Sequence, residues 1–484
     1  MKRHFLNFMF FVLLFAGSSV VAYAQNIEEY VKAAANNAQI GNHKKAIELY
    51  SLAIALKPDS ADLYTCRGIS ESYLQQYENA AADFSKAIEL VPRGESGYFS
   101  RGFIRYNMGQ YESAIADYSK AIELKPDDKR VYYNRAITYL KLNRYENVID
   151  DCSKAIELQL NDTEAYLLRG YVLNIVNRNE EALTDYSKAI ALNPNAADAY
   201  LRRGFVMNAL GQYESAIADY SKEIELRPGD AAGYYDRGIT KDHLGQAESA
   251  IDDFTKAIEL KPDNDDEYIG RGYANNAIGR YDAAISDYSK AIELKPNNPI
   301  AYYNRGNVED IIGRHEIAIA DFSKAIELKP DKEDAYSSRG IAKEALQMYE
   351  EAKKDYTKAI ELKPDDANAY YGLGNTNDYL DQPDSAIADY SKAIEFKPTF
   401  TNAYYCRGIV KHQLGRYELA IADYSKVIEL SPDYAAAYFQ RGIAKLKSNK
   451  LDDACEDIRQ ASALGYQPTK SEKKEWKKQL ERCK

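Results

Sequence analysis

Apolar residues recur along this chain with the spacing of an α-helix, and the pattern itself repeats. The run DYSKAIELKP recurs with minor changes at a 34-residue period over almost the whole length. Within each period, two stretches carry apolar residues at intervals of three and four, and a short break that often holds glycine separates them, as at Gly109 and Gly211. A proline near the end of most periods stops the second stretch. The pattern therefore predicts one helix hairpin in each period.

Thirteen such repeats follow one another without insertion or deletion, and we number the positions within each from 1 to 34. The predicted repeats are 27–60, 61–94, 95–128, 129–162, 163–196, 197–230, 231–264, 265–298, 299–332, 333–366, 367–400, 401–434 and 435–468. They leave no room for a separate catalytic domain. The remaining residues, 469–484, are predicted to form a C-terminal capping helix, because Trp476, Leu480 and Cys483 are spaced as a narrow apolar stripe.

The period, the small residues at positions 8, 20 and 27 and the proline at position 32 resemble the tetratricopeptide repeat (TPR) family. Position 4 departs from the family pattern, because tyrosine replaces tryptophan in every repeat, from Tyr30 to Tyr438. The resemblance implies an all-α fold, a right-handed α-solenoid (superhelix) of 13 tandem 34-residue helix-turn-helix units. The small residues would let the two helices of a unit approach closely, with the tyrosines interlocked between them.

A second departure is a repeated pair of opposite charges. Position 7 is Arg in eleven repeats and position 23 is Asp in twelve, and helical geometry puts both beside the hairpin interface. Pairing within a repeat would leave only Asp389 alone, whereas pairing with the next repeat would strand three charges. Because stranding a partly buried charge costs about 3 kcal/mol, we predict structural ion pairs within repeats. Representative predicted pairs are Arg203–Asp219 and Arg237–Asp253.

The side of the first helix away from these packing positions carries rings, amides and acids. In the family this side lines a concave groove, so the resemblance implies that it binds a peptide or protein segment. The predicted groove residues are Tyr133, Tyr171, Asn174, Phe205, Asn208, Tyr235, Asp242, Tyr273, Asn276, Tyr303, Asn307, Asp310, Tyr371, Asn375, Asp378 and Tyr405. Rings supply contact area and amides bond to an extended backbone, so the predicted ligand is an extended, neutral or basic segment. The alternative for these tyrosines is packing against neighbouring repeats.

The net charge and the absence of catalytic motifs argue against several classes of function. The net charge of −11 argues against a nucleic-acid partner, and no phosphate-binding glycine loop, metal-ligand spacing or catalytic trio occurs in the sequence. We therefore predict a non-enzymatic protein-interaction scaffold with no cofactor, no metal and no catalytic residues. The alternative is an architectural or self-associating spacer in the cell envelope without a defined peptide ligand. The oligomeric state stays open.

The N-terminal segment 1–24 differs from the repeats. Lys2 and Arg3 precede a short apolar run, and small residues including Ala22 and Ala24 follow it. This order predicts a secretory signal peptide, hence an exported protein that is periplasmic or secreted, without a membrane span in the remainder. The five cysteines are odd in number, and only Cys455 and Cys483 lie where they could pair.

Overall fold

The computed structural model describes residues 26–158, 162–468 and 473–482, and this part of the chain contains helices and turns without strands. It divides into two compact units, Met1–Gly229 and Asp230–Lys484. The division falls at the end of the sixth predicted repeat. The all-α fold of tandem helix hairpins is confirmed. The predicted signal peptide, residues 1–24, lies outside the described residues.

The described residues of the first unit form six stacked helix hairpins. Helix α1 covers residues 26–39. The following helices are α2 His43–Leu56, α3 Ala61–Tyr73, α4 Tyr77–Leu90, α5 Glu95–Asn107, α6 Tyr111–Leu124, α7 Lys129–Lys141, α8 Tyr145–Leu158, α9 Thr163–Ile175, α10 Asn179–Leu192, α11 Ala197–Ala209 and α12 Tyr213–Leu226. The two helices of a hairpin pack on each other, and the second helix of a hairpin packs on the first helix of the next hairpin in the unit.

Seven hairpins and a short final helix make up the part of the second unit that the structure describes. Its helices are α13 Ala231–His243, α14 Ala247–Leu260, α15 Asp265–Ala277, α16 Tyr281–Leu294, α17 Pro299–Ile311, α18 His315–Leu328, α19 Glu333–Ala345, α20 Tyr349–Leu362, α21 Ala367–Tyr379, α22 Pro383–Phe396, α23 Thr401–Gln413, α24 Tyr417–Leu430, α25 Ala435–Lys447, α26 Leu451–Ala463 and α27 Lys473–Arg482. Helix α27 lies within the predicted capping segment and contacts α26. The side chains of Trp476 and Leu480 lie outside the described residues, as does Cys483.

The turn between the two helices of a hairpin has the same backbone conformation throughout. Position 15 has a positive φ in every repeat, including φ 73° at Gly109 and φ 57° at Gln75. In the third repeat, the N–H of Gly109 donates to the carbonyl of Tyr106 at 2.9 Å, and the N–H of Gln110 donates to that of Arg105 at 2.8 Å. These two bonds satisfy carbonyls at the end of the first helix. The turn thus ends one helix and starts the next within a few residues.

The deepest rings of the core lie at position 24 of the second helix. Tyr220 is completely buried, and a Cβ atom on Gly204 at position 8 would lie 2.8 Å from its ring. In the second unit, the Phe254 ring likewise leaves no room for a Cβ on Gly270 in the following hairpin, at 2.6 Å. The position-24 ring therefore lies between the first helix of its own hairpin and that of the next. The sequence interpretation had assigned this interlocking role to the tyrosines at position 4.

Candidate functional site

The arginine at position 7 connects two hairpins. Arg203 donates from Nε and Nη2 to Asp219 of its own repeat at 2.7 and 2.8 Å, and from Nη1 to Ser187 of the preceding repeat at 3.0 Å. The guanidinium carbon also lies 5.8 Å from the ring centroid of Tyr200. Asp219 is only 6% exposed. One side chain therefore fixes both the hairpin and its docking to its neighbour, and the serine contact was not anticipated from the sequence.

Position 11 often supplies the buried aspartate with a second donor. Arg237 binds Asp253 at 2.9 and 2.6 Å, and the Lys241 ammonium adds a contact to the same carboxylate at 2.7 Å. In repeat eleven, where the arginine is missing, the amide nitrogen of Asn377 donates to Asp389 at 2.6 Å. The aspartate that the sequence left without an arginine thus has a neutral partner. The side chains at positions 7, 11 and 23 therefore hold the hairpin together and are not exposed for binding or catalysis.

Repeat two carries an acid at position 11 instead of a donor. Arg67 binds Asp83 at 2.7 Å, and its Nε also lies 4.0 Å from the buried carboxyl of Glu71. Burial, together with the negative charge of Asp83, raises the pKa of Glu71 to about 7. Glu71 therefore carries a proton over part of the neutral range. Its place beside the hairpin interface makes it a group that affects stability.

The predicted groove tyrosines at position 5 pack against the core. Tyr235 meets the ring of Phe254 edge-on with 5.8 Å between centroids, and Tyr371 lies 5.9 Å from the ring of Tyr390. Tyr303 is covered further, because the Lys332 ammonium lies 3.6 Å from its ring centroid. The remaining members of this set, Tyr133 and Tyr405, are also partly buried. Packing against position 24 is therefore a main task of these rings.

The predicted rings at position 9 are accessible. The side chains of Tyr171, Phe205 and Tyr273 are 36%, 53% and 55% exposed. Phe103 occupies the same position in repeat three and is 45% exposed, although it was not among the predicted groove residues. Arg202 of the next repeat lies 4.8 Å from the ring centroid of Tyr171. The exposed aromatic surface of the first helices thus runs along position 9.

Some of the predicted polar groove residues have side-chain hydrogen-bond partners within the chain, and others have none among the described residues. Asp310 contacts Nδ1 of His315 at 2.7 Å, and the Asn375 amide oxygen accepts a hydrogen bond from Tyr390 at 2.9 Å. Burial raises the pKa values of Asp242 and Asp378. Among the residues that the structure describes, no side chain donates a hydrogen bond to either carboxylate. The other predicted amides, which are all partly buried, are Asn174, Asn208, Asn276 and Asn307.

Glu344 lies at position 12 of repeat ten, the position that Asp242, Asp310 and Asp378 hold in their repeats, and it was not among the predicted groove residues. Its carboxylate accepts hydrogen bonds from Tyr356 at 2.8 Å and from Thr376 of the next repeat at 2.7 Å. Burial raises its pKa. The sequence signal for the contact between Tyr356 and Glu344 is a tyrosine at position 24 with an acid at position 12 of the same repeat.

Three predicted groove residues meet at a single cavity in the second unit. Tyr235, Asp242 and Tyr273 line a space of about 620 Å³ between repeats seven and eight. The buried ring of Phe254 and the side chain of Ile269 are also part of its lining. Its size falls in the range of cavities that hold small ligands or side chains. No cluster of His, Cys, Asp or Glu suited to a metal ion occurs in the described ranges.

Stacked hairpins with an accessible ring and polar surface on their first helices define the class of helical-repeat scaffold proteins. Family models described as "TPR repeat" and "Tetratricopeptide repeat" together match more than half of this chain. The matched ranges are 104–143, 176–211, 272–308, 345–377 and 410–449 for the first, and 130–162, 196–265, 299–332 and 367–400 for the second. The chain belongs to the tetratricopeptide repeat family, whose members are generally non-catalytic scaffolds that bind protein partners.

Several solved structures are similar to parts of the chain. YrrB, described as "a TPR protein with an unusual peptide-binding site", is 27% identical with a TM-score of 0.34, and the match covers 37% of this chain and 92% of YrrB. MamA is 30% identical with a TM-score of 0.33, covering 34% and 96%. A tetratricopeptide repeat protein from Parabacteroides merdae is 22% identical with a TM-score of 0.40, covering 52% and 98%. The comparison with curated proteins found no match.

The remaining predictions concern the ends of the chain and the cysteines. No helix in the described part of the chain is long and apolar enough to cross a bilayer. Cys66, Cys152 and Cys406 are free thiols, whereas Cys455 is disulfide-bonded. Its predicted partner, Cys483, lies outside the described residues.

Proposed function

We propose that this chain is a non-enzymatic scaffold that holds an extended, neutral or basic segment of another protein against its first helices. The observation that carries the proposal is the exposure of the rings at position 9. Tyr171, Phe205 and Tyr273 leave 36% to 55% of their surface in water, although the fold buries the rings at position 24 almost completely. Large rings without a full packing role supply binding area at low entropic cost.

The charges near these rings support a basic segment over an acidic one. Asp242 and Asp378 lie at position 12 of their first helices, three residues after position 9, and burial raises the pKa of each carboxyl group. A lysine or arginine of a bound segment would give each carboxylate the missing partner. Binding that uses such pairs weakens as salt is added.

The test is capture of the natural partner from an extract of the native host. We define the surface ring variant as Tyr171→Ser with Phe205→Ser and Tyr273→Ser. Each ring removed from a binding contact weakens binding by roughly 1 to 3 kcal/mol, so the surface ring variant is expected to lose capture. Tyr235 and Tyr303 are left intact because their rings pack against the core.

The matched control removes three equally exposed apolar side chains from second helices. Leu52, Ile317 and Leu419 are 49%, 47% and 54% exposed, and each is changed to Ser. This control is expected to capture the partner as the native chain does. Equal capture by the native chain and the surface ring variant would refute the proposal and favour an architectural spacer.

We also propose that the chain is exported, on the basis of the charged, apolar and small-residue order of its N-terminal segment 1–24. Intact-mass analysis of the protein recovered from the native host decides this point. The expected mature chain begins at Gln25, and a chain that still begins at Met1 would contradict export with cleavage.

A further inference from the structure

Stacked ring pairs join the turn regions of neighbouring hairpins within each of the two units. The rings of His43 at position 17 and Tyr73 at position 13 of the next repeat are nearly parallel, with centroids 4.4 Å apart. The same positions hold Tyr349 and Tyr379, whose rings stack at 4.7 Å. The fold thus accommodates two stacked rings, one at position 17 of a repeat and the other at position 13 of the next.

Repeats seven and eight lack both rings. Position 17 is Ala247 and the facing position 13 is Ala277, and both alanines line the cavity of about 620 Å³. The corresponding cavity between repeats one and two is lined by the stacked pair His43 and Tyr73 and measures about 430 Å³. The cavity without the ring pair is thus the larger of the two, and we call it the ring slot.

The ring slot has apolar walls and an acidic mouth. Ile239, Ile269 and Ile278 line it together with Phe254, which is 1% exposed. The exposed ring of Tyr273 stands at its edge. A planar side chain entering between these groups would bury its faces against aliphatic and aromatic carbon, as the missing stacked pair would have done.

The charges around the mouth are negative. Asp242 lines the slot without a side-chain hydrogen bond from the described residues. Burial raises the pKa of the adjacent Tyr235 to about 12, and the negative charges of Asp266 and Glu267 act in the same direction. His243 also lines the cavity and is exposed. This potential favours a cationic neighbour for the inserted ring.

We propose that the ring slot binds an aromatic side chain of a partner protein that is flanked by lysine or arginine. The inference rests on the proposed function and assigns one subsite to it. The slot would anchor the bound segment at repeats seven and eight, and the rings at position 9 in other repeats would contact the remainder.

The experiment uses the full chain and two blocked synthetic peptides, Gly-Lys-Phe-Lys-Gly and Gly-Lys-Ala-Lys-Gly. Binding is followed through the isoleucine methyl signals in nuclear magnetic resonance spectra, where Ile239, Ile269 and Ile278 report on the slot. The phenylalanine peptide is expected to shift these three signals and to bind at least about tenfold more tightly than the alanine peptide. Equal affinities, or no shift of the three signals by the phenylalanine peptide, would overturn the proposal.

The matched variant fills the slot by Ala247→Tyr with Ala277→Tyr, which restores the ring pair that the fold holds at Tyr349 and Tyr379. The filled chain is expected to lose the preference for the phenylalanine peptide while keeping its helicity. Retained preference would contradict the slot as the site. Asp242→Asn leaves the slot open, and it should weaken binding of the basic peptide with a smaller salt dependence; unchanged binding would contradict the acidic mouth.

Failure of this inference is separable from failure of the scaffold function. If the filled chain still captures the natural partner and the surface ring variant does not, the scaffold function stands and the slot has no part in it. If neither change affects capture, both proposals fail.

Discussion

Removing the position-7 arginine from one repeat tests how the hairpins are held together. In Arg203→Leu, Asp219 loses two hydrogen bonds of 2.7 and 2.8 Å, and Ser187 of the preceding repeat loses one of 3.0 Å. Asp219 is 6% exposed, so its charge is left in a poorly hydrated place. Breaking a buried pair costs about 3 to 5 kcal/mol. Because Arg203 keeps 19% of its side chain in water, we expect the lower end of that range, about 3 kcal/mol.

Arg407→Leu is the matched comparison, because the Lys411 ammonium lies 2.7 Å from Asp423 and remains after the arginine is gone. We expect this change to cost roughly half as much as Arg203→Leu. Adding Asp219→Leu to Arg203→Leu should recover most of the lost stability, since an apolar pair carries no stranded charge.

The assay is native-state hydrogen exchange resolved by peptide, because repeats that contact mainly their neighbours open separately and one unfolding temperature would average over them. Protection in α11 and α12 should fall in the single variant and return in the double variant. An equal loss in Arg203→Leu and Arg407→Leu, or a double variant as unstable as the single one, would refute this reasoning.

Three further changes follow from the structure. Glu71→Gln should stabilise the chain by up to about 3 kcal/mol at pH 8 and little near pH 5. The reason is the raised pKa of Glu71, which makes the free energy of unfolding fall as pH rises from about 4.5 through 7. Equal effects of the substitution in denaturation experiments at both pH values would contradict this. Gly272→Ala should cost about 1 to 3 kcal/mol, since its Cβ would lie 2.8 Å from a buried ring, whereas Gly229→Ala has open space and should be nearly neutral in the same assay. Asn377→Leu should cost about 1 to 3 kcal/mol by removing the side-chain donor to Asp389, the partly buried aspartate of repeat eleven. Hydrogen exchange in α21 and α22 unchanged from the native chain would argue against that role.

The sequence was sufficient to predict the repeats, because a strict period constrains every helix at once. Helices α3 Ala61–Tyr73 and α4 Tyr77–Leu90, for example, form one of the predicted helix hairpins. The arrangement of rings was harder to predict. Position 5 lies at the border of the hairpin interface, so spacing alone could not distinguish an exposed tyrosine from one packed on the position-24 ring, as Tyr235 is on Phe254.

Contacts between neighbouring repeats could not be predicted from the sequence either. The bond from Arg203 to Ser187 joins residues that lie sixteen positions apart, and it requires the packing of one hairpin on the next. The ring slot depends on Ala247 and Ala277, which belong to different repeats and gain meaning only when their helices are placed together. Local periodicity carries no information about such pairs.

Site-specific photocrosslinking in the native host tests the scaffold function most directly. A benzophenone-bearing phenylalanine analogue replaces Tyr273, an exposed ring on a first helix, or Ser249, a residue on the second helix α14. The proposal predicts crosslinks to a segment of a different protein from position 273 and none from position 249. Equal crosslinking from both positions, or crosslinks from position 273 only to copies of the same chain, would contradict it.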